Sequence, residues 1–299
     1  MISIRVCFSL VSLVLLLGVS ARANEFAIVG DAGKWAAGSK LQLESIQRTS
    51  IRSLILPGDN LYSGTYQSTW GPWLKVGFNF DIVAIGNHNG GYAKEVAFFA
   101  MPAAFYAEAI PGLARFIVLN SDDKKTVNEQ MQFLDRELTA AVEPMVFLVY
   151  HHPTYNVSTD HTWDERRDFQ LALRRRLTQF RKKITAVIIG HDHLAALGHF
   201  GDIPYILSGA SWNVRSDRPV NNIQQGVSVR TDWFFDDVPY WVKLSFTVRG
   251  RAPQARFDFI RASDDQVRCT SLIETGAVAV LEANCAPAVQ SAQQQQLQQ

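Results

Sequence analysis

Cysteine is scarce in this 299-residue chain, and neither sign of charge dominates: it contains three cysteines, 29 lysine and arginine residues and 28 aspartate and glutamate residues. This charge balance gives no support to non-specific binding of nucleic acid or of a membrane surface. Long apolar runs are also absent after the first twenty residues, so the rest of the sequence contains no candidate for a transmembrane helix. The chain has no internal repeat and no cluster of serine or cysteine nucleophiles.

The N-terminal segment has the composition of a targeting sequence. Arg5 gives it a positive start, residues 6–20 are apolar, and Ala21-Arg22-Ala23 is a small-x-small cleavage signal. We therefore predict a signal peptide over residues 1–23 and a secreted or periplasmic protein without a membrane anchor after cleavage; a retained N-terminal anchor is the alternative. Removal of Arg5 and Arg22 leaves 27 basic and 28 acidic residues, a formal charge of −1.

Two cysteines remain after this cleavage, because Cys7 lies in the predicted signal peptide. Cys269 and Cys285 form an even pair in what would be an oxidising compartment, which favours a disulfide between them. Metal ligation is a weaker alternative, because no histidine lies near either cysteine in the sequence.

Five short apolar runs each end in a cluster of glycine, aspartate, asparagine or histidine. Continuous apolar runs of this length are typical of strands buried on both faces, and ligands of an open α/β sheet collect at the carboxyl ends of such strands. We therefore expect the function to lie on the five loops. The runs span residues 26–29, 54–56, 82–85, 146–150 and 186–189.

The order of predicted elements indicates a layered α/β fold, either an α/β/α or an α/β sandwich, with antiparallel strands late in the chain. Apolar strands alternate with helical patterns up to Ile189, and strand patterns dominate after Gly190. We predict one catalytic domain over residues 24–286 and a disordered Gln-rich tail over residues 287–299. The predicted helices span residues 36–48, 127–141 and 165–182, and the late strands span residues 203–207, 240–248 and 255–260.

Each of the five clusters alone is more typical of a turn than of a functional site. Independent turns, however, have no reason to supply two aspartates, one asparagine, one tyrosine and three histidines, all at strand ends. This joint pattern predicts a dinuclear metal site. Its candidate ligands are Asp31, Asp59, Tyr62, Asn87, His151, His191 and His193.

The motifs of these clusters resemble those of the purple acid phosphatases, a group within the calcineurin-like metallophosphoesterases. Few residues precede the first motif, so the chain is similar to the small, mammalian-type tartrate-resistant form. The resemblance covers most of residues 25–215 and implies an αββα metallophosphoesterase-type sandwich with the metal site on loops at strand carboxyl ends. The matching motifs are Asp31-x-Gly33, Gly58-Asp59-x-x-Tyr62, Gly86-Asn87-His88, His151-x-Pro153 and Gly190-His191-x-His193.

The resemblance assigns a role to each candidate ligand. It implies that Asp31, Tyr62 and His193 bind Fe(III). It also implies that Asn87, His151 and His191 bind a divalent Fe, Zn or Mn ion, and that Asp59 bridges the two metals. A hard trivalent ion prefers anionic oxygen, which the two carboxylates and a deprotonated phenol supply. Tyr62 is the discriminating residue, because a phenol of pKa ~10 rarely loses its proton without a strongly charged ion. Alternatively, Tyr62 has no metal and its aromatic ring packs beneath the loop.

These roles predict a secreted acid phosphatase that cleaves phosphomonoesters by attack of hydroxide bound to the Fe(III) and divalent ions. His88 and His161 are the candidates for protonating the leaving group. A second hypothesis keeps the site and makes the substrate a phosphodiester or a nucleotide. A third is a secreted binding protein without catalysis. The sequence identifies neither the physiological substrate nor the oligomeric state.

Substrate specificity is expected to lie in three segments predicted as loops, which span residues 63–75, 89–101 and 155–164. Trp70 and Trp73 in the first of them and Trp163 in the third are candidates for stacking on an aromatic leaving group, with packing as the alternative. The chain departs from the family at Asn89, where relatives commonly carry an acidic residue, and in a segment after it that is shorter than in mammalian relatives.

Overall fold

Two stacked β-sheets form the centre of the protein, whose computed structural model describes residues 25–159, 161, 163–215, 218–235, 237–249, 252–274, 280–281 and 285. The predicted signal peptide and the predicted Gln-rich tail lie outside the described residues. None of the helices in the described part of the chain combines the length and the apolar character that crossing a bilayer requires.

The first sheet has seven strands in the order β15-β14-β13-β12-β1-β2-β3. Its three early strands run parallel to one another, and the late strands extend it in an antiparallel arrangement that begins with the pairing of β1 and β12. The strands are β1 (Glu25–Ile28), β2 (Ser53–Leu56), β3 (Asn79–Val83), β12 (Tyr240–Arg249), β13 (Ala252–Arg261), β14 (Gln266–Glu274) and β15 (Val280–Leu281).

The second sheet has eight strands in the order β10-β11-β8-β9-β7-β6-β5-β4. Strands β5, β6, β7 and β9 are parallel at its centre, and antiparallel strands flank them on both sides. The strands are β4 (Tyr106–Ile110), β5 (Ala114–Val118), β6 (Met145–Val149), β7 (Ala186–Ile189), β8 (Ala195–Phe200), β9 (Ile203–Ser208), β10 (Asn222–Gln224) and β11 (Val227–Phe235).

Helices cover the outer faces of the two sheets and complete an αββα sandwich. Leu43 of α1 and Trp70 of α2 lie in the larger core, which also fills the space between the sheets. Leu134 of α4 and Leu173 of α5 pack with the other face of the second sheet in a separate core. The helices are α1 (Ala37–Gln47), α2 (Tyr66–Val76), α3 (Tyr92–Phe98), α4 (Val127–Ala140) and α5 (Arg167–Gln179), and a 3₁₀ turn (Trp163–Arg166) precedes α5.

Aromatic side chains hold the two sheets together. The ring of Phe116 lies 5.7 Å from that of Phe26 and 5.2 Å from that of Phe147, and Phe246 approaches both Phe26 and Phe147. Rings of this size bury large apolar areas, and tilted pairs add an electrostatic preference for their geometry. This aromatic layer keeps the carboxyl ends of strands from both sheets side by side.

The predicted fold class is confirmed, and the helices predicted at residues 36–48 and 127–141 match α1 and α4. The third predicted helix begins two residues later, at α5. The predictions of loops at residues 63–75 and 89–101 were wrong, because these segments contain α2 and α3. Helix α2 includes Gly71 and Pro72, which normally interrupt a helix; it is stabilised by a capping box at Thr65 and Ser68.

The predicted disulfide between Cys269 and Cys285 is also confirmed, and it closes a loop with a sequence separation of 16 residues. In the chain-entropy model, a disulfide across a loop of this length stabilises the fold by about 3 kcal/mol.

We expect a reductant to lower the free energy of unfolding by about this amount, measured by urea denaturation. A Cys269→Ala/Cys285→Ala variant is the control and should not respond to the reductant. Two free thiols in the oxidised protein, detected by mass spectrometry, would contradict the bond.

Candidate metal centre

Six of the seven predicted ligands contact one another at one end of the two sheets, and the seventh, Asn87, lies on the loop that adjoins them. Strands β1, β2 and β3 of the first sheet lead into Asp31, Asp59 and Asn87, and strands β6 and β7 of the second lead into His151 and His191. The two sheets meet here through a hydrogen bond from the backbone amide of His191 to Asp31 Oδ2, at 2.9 Å. The site is therefore part of the contact between the sheets.

The backbone around the site adopts conformations that few residues prefer. Asp31, Asp59 and His191 have positive φ angles of 56°, 55° and 79°. Such angles are uncommon for residues with a side chain and are typical of functional sites, where the surrounding structure enforces them. Gly58, with φ of 107°, leaves room for His151, because a Cβ atom at Gly58 would lie 2.5 Å from His151 Nδ1.

Tyr62 is the centre of the first group of ligands. Its hydroxyl oxygen lies 3.0 Å from Asp31 Oδ1, 2.7 Å from Asp59 Oδ2 and 3.2 Å from His193 Nε2. One hydroxyl proton cannot satisfy both carboxylates and the imidazole at once. Asp31, Asp59 and His193 also offer atoms close enough together to hold one metal ion.

His151 and His191 form the second group, and Asn87 lies between Gly86 and His88, which both approach Asp59 Oδ1. The Nε2 atom of His151 lies 2.9 Å from Asp59 Oδ1 and 3.3 Å from Nδ1 of His191. The Oδ1 atom of Asn87 is buried and has no hydrogen-bond partner. Such an atom costs free energy unless something binds it. Asp59 directs one oxygen to each group and so occupies the position of a bridge.

Burial and charge shift the pKa values of these groups in the metal-free protein. Burial raises the pKa of Asp31 to about 8, because its carboxylate loses water. Burial alone would lower the pKa of His151, but the charge and hydrogen bond of Asp59 outweigh it and raise this pKa to about 9. The pKa of Tyr62 is also raised, first by burial and then by the charges of Asp31 and Asp59. Protons therefore supply the positive charge that the clustered carboxylates require.

The donor set fits the pair of metals that the resemblance implies. The first group offers carboxylate oxygen, phenol oxygen and one imidazole, which suits a hard ion; the second offers two imidazoles and an amide oxygen, which suits a softer divalent ion. The unsatisfied Asn87 Oδ1 supports this fit, since a cation would bind a buried acceptor that no hydrogen bond reaches.

His88 and His161, the predicted catalytic histidines, lie on opposite sides of the site. His88 is exposed, its backbone amide donates to Asp59 Oδ1, and its ring lies 4.3 Å from that of Tyr62. The ring of His161 lies 3.9 Å from that of His191, on the side of the second group. Both therefore border the candidate metal centre. Trp70 and Trp73, by contrast, are fully buried in the core and cannot reach a ligand.

Several residues near the site were not identified from the sequence. Glu165 accepts hydrogen bonds from His161 and His191, at 3.0 and 2.9 Å, and these bonds keep its pKa below the ordinary range. Arg215 Nη1 lies 3.4 Å from His161 Nε2. The Trp212 ring lies 5.0 Å from that of Tyr62. None of these residues belongs to a predicted motif. The bond between Glu165 and His161 spans four residues, whereas the contacts of Glu165 with His191, of Arg215 with His161 and of Trp212 with Tyr62 arise only from the tertiary fold.

A buried carboxylate supports the loops that carry the ligands. Glu95 accepts hydrogen bonds from Asn60 Nδ2 and from the hydroxyl of Tyr66, each at 2.7 Å, and the same hydroxyl accepts from the amide of Gly90. Burial raises the pKa of Glu95 to about 7. Through these bonds Glu95 links the loop after β2, which contains Asp59, to the loop after β3, which contains Asn87.

Comparison with solved structures supports the same fold. The chain is similar to GAP50, the anchor in the inner membrane complex of Plasmodium, with a TM-score of 0.65 and 16% identity over 84% of this chain and 88% of that one. It is also similar to PhoD, with a TM-score of 0.62 and 13% identity over 89% of this chain and 72% of that one. No protein-family model and no curated protein sequence matches it. The chain thus has a metallophosphoesterase-type fold.

Replacement of Asp59 tests the site directly. Asp59→Ala removes the carboxylate shared by both groups, so two cations would repel each other without it. We expect loss of bound metal and of turnover, measured by elemental analysis and by phosphate release, while circular dichroism shows a retained fold. Asp202→Ala, at an exposed turn between β8 and β9, is the control and should keep both. Full metal content in the Asp59 variant would contradict this assignment.

Proposed function

We propose that this protein is a secreted, metal-dependent acid phosphatase that hydrolyses phosphomonoesters with an Fe(III) ion and a divalent ion. The observation that carries the proposal is the position of the Tyr62 hydroxyl, within 3.2 Å of two carboxylates and of His193, next to a second cluster of nitrogen and amide ligands. The fold alone does not carry it, because the similar structures share little sequence identity.

Asp31, Tyr62 and His193 would hold the ferric ion. Asn87, His151 and His191 would hold the divalent ion, and Asp59 would bind both. When bound, the metals would supply Lewis acidity that polarises a phosphoryl oxygen and makes a water molecule a nucleophile below neutral pH.

Charge favours an anionic substrate at this site. The two ions carry five positive charges, and two carboxylates with one phenolate remove three of them. The remaining positive charge attracts a phosphate group. Arg215, beside His161, and Lys34, whose ammonium lies 4.3 Å from the centre of the Trp212 ring, add two cations near the ligands. Phosphomonoesters carry more negative charge than phosphodiesters, so this arrangement favours the monoester.

His88 is the residue best placed to protonate the leaving group. Its ring is exposed beside Tyr62, and its backbone amide is fixed on Asp59, so the imidazole can face a substrate bound at the metals. A neighbouring imidazole commonly transfers a proton to a departing alkoxide. His161 has its Nδ1 and Nε2 atoms near Glu165 and Arg215, so it is a weaker candidate than His88 for releasing a proton.

The disulfide supports the secreted location. Such bonds persist in oxidising compartments and are rare in the cytosol. The predicted signal peptide would deliver the chain to such a compartment.

Two alternatives remain distinguishable by assay. A phosphodiesterase would cleave a bis-aryl phosphodiester faster than an aryl phosphomonoester, whereas a phosphatase would show the opposite preference. A binding protein without catalysis would cleave neither. The similarity to GAP50, which is described as an anchor, makes this last comparison necessary.

His88→Ala provides a test of the catalytic role. We expect turnover to fall by about 10²–10⁴-fold on alkyl phosphates, whose leaving groups need a proton, and by less on activated aryl phosphates. His161→Ala should show the same trend more weakly. Steady-state rates across a series of leaving groups measure both effects. An equal loss for every leaving group would show that His88 positions the substrate or the metals and transfers no proton.

A further inference from the structure

The three imidazoles of the candidate metal centre are each oriented by a bond at the ring nitrogen that faces away from the site. Nδ1 of His151 lies 3.0 Å from the carbonyl oxygen of Pro57, and Nδ1 of His193 lies 2.5 Å from that of Asn213. Nε2 of His191 lies 2.9 Å from Oε2 of Glu165. Of these three ligands, only His191 is thus oriented by a charged side chain.

The second oxygen of the same carboxylate binds the candidate substrate-facing histidine. Oε1 of Glu165 lies 3.0 Å from Nδ1 of His161, whose ring packs 3.9 Å from that of His191. Glu165 belongs to the 3₁₀ turn that leads into α5, whereas His191 follows β7. The carboxylate therefore joins two elements that lie 26 residues apart in the sequence.

We propose that Glu165 is a positioning residue that couples the divalent-metal site to His161. This inference rests on the proposed function for the identity of the site. An ionised carboxylate only accepts hydrogen bonds, so the bond at Nε2 requires His191 to carry its proton there and leaves the Nδ1 lone pair directed toward His151 and the metal position. The second bond holds His161 over the same imidazole.

A carboxylate in this position has two effects on a metal ligand. It fixes the ring orientation and the tautomer, and it makes the imidazole a stronger donor. Loss of such a partner typically lowers metal affinity by about 10–100-fold. Stabilisation of the fold is a poor explanation for these bonds. The Glu165 side chain is one-third exposed, and ion pairs with that exposure contribute little to stability.

The effect is expected to be selective for one metal. His193 in the ferric group is oriented by the backbone carbonyl of Asn213 instead, so iron binding should persist when Glu165 is replaced. Glu165→Gln retains the shape of the side chain, but its amide oxygen is uncharged and its amide nitrogen cannot accept from a second imidazole. Glu165→Ala removes both bonds and leaves space for a small carboxylate from solution.

Two measurements on the full-length protein test the inference. Equilibrium dialysis of the iron-containing protein against Zn²⁺ should give an affinity about 10–100-fold lower for Glu165→Gln and Glu165→Ala, with iron content unchanged. Formate should restore part of the affinity of Glu165→Ala. Asp168→Asn, an exposed neighbour at the start of α5, is the matched control and should bind Zn²⁺ as the wild type does. Unchanged affinity in both Glu165 variants, or equal loss of iron and zinc, would overturn the proposal.

The second measurement does not require metal or activity. Nitrogen NMR of the imidazoles in the metal-free wild type should show His191 with its proton on Nε2, and Glu165→Ala should lose this preference. A proton on Nδ1 in the wild type would overturn the positioning role. If the wild type binds Zn²⁺ and shows this tautomer but cleaves no phosphate ester, the proposed function fails while the role of Glu165 stands.

Discussion

The main constraint on this end of the protein is the close packing of hydrogen-bond acceptors around the Asp59 carboxylate. A buried carboxylate lies between a phenol and an imidazole, and a second carboxylate, Asp31, lies beyond the same phenol. Groups of this kind, removed from water, need positive charge close by. Protons on Asp31 and His151 can supply it in the metal-free protein, and metal ions would supply it with better geometry.

The fold tolerates this crowding because its remaining parts are apolar and tightly packed. Two cores and a layer of aromatic rings bring strand ends from both sheets to one place. Glycine then allows the closest approaches; at Gly86, for example, a Cβ atom would lie 2.2 Å from Asp59 Oδ1. Stability is thus provided by the sheets, and the unfavourable backbone angles of the ligand loops are held by them.

Local patterns in the sequence predicted the parts of the protein that depend on local chemistry. Apolar runs followed by polar clusters identified the strand ends, and six of the seven candidate ligands contact one another in the structure. Helix α2 escaped prediction because Gly71 and Pro72 contradict a helix locally. Glu165 and Arg215 escaped because their contacts with His191 and His161 span 26 and 54 residues. Nothing in their neighbourhood indicates such partners.

The most direct test of the central claim is the visible absorption spectrum of the purified wild-type protein, recorded with its metal content. A tyrosinate bound to Fe(III) should give a charge-transfer colour, two metal ions per chain should be present, and mild reduction should bleach the band. Tyr62→Phe keeps the ring and should abolish the colour without loss of the fold. A colourless and fully active protein that contains only Mn or Zn would contradict the ferric site and leave Tyr62 a packing residue.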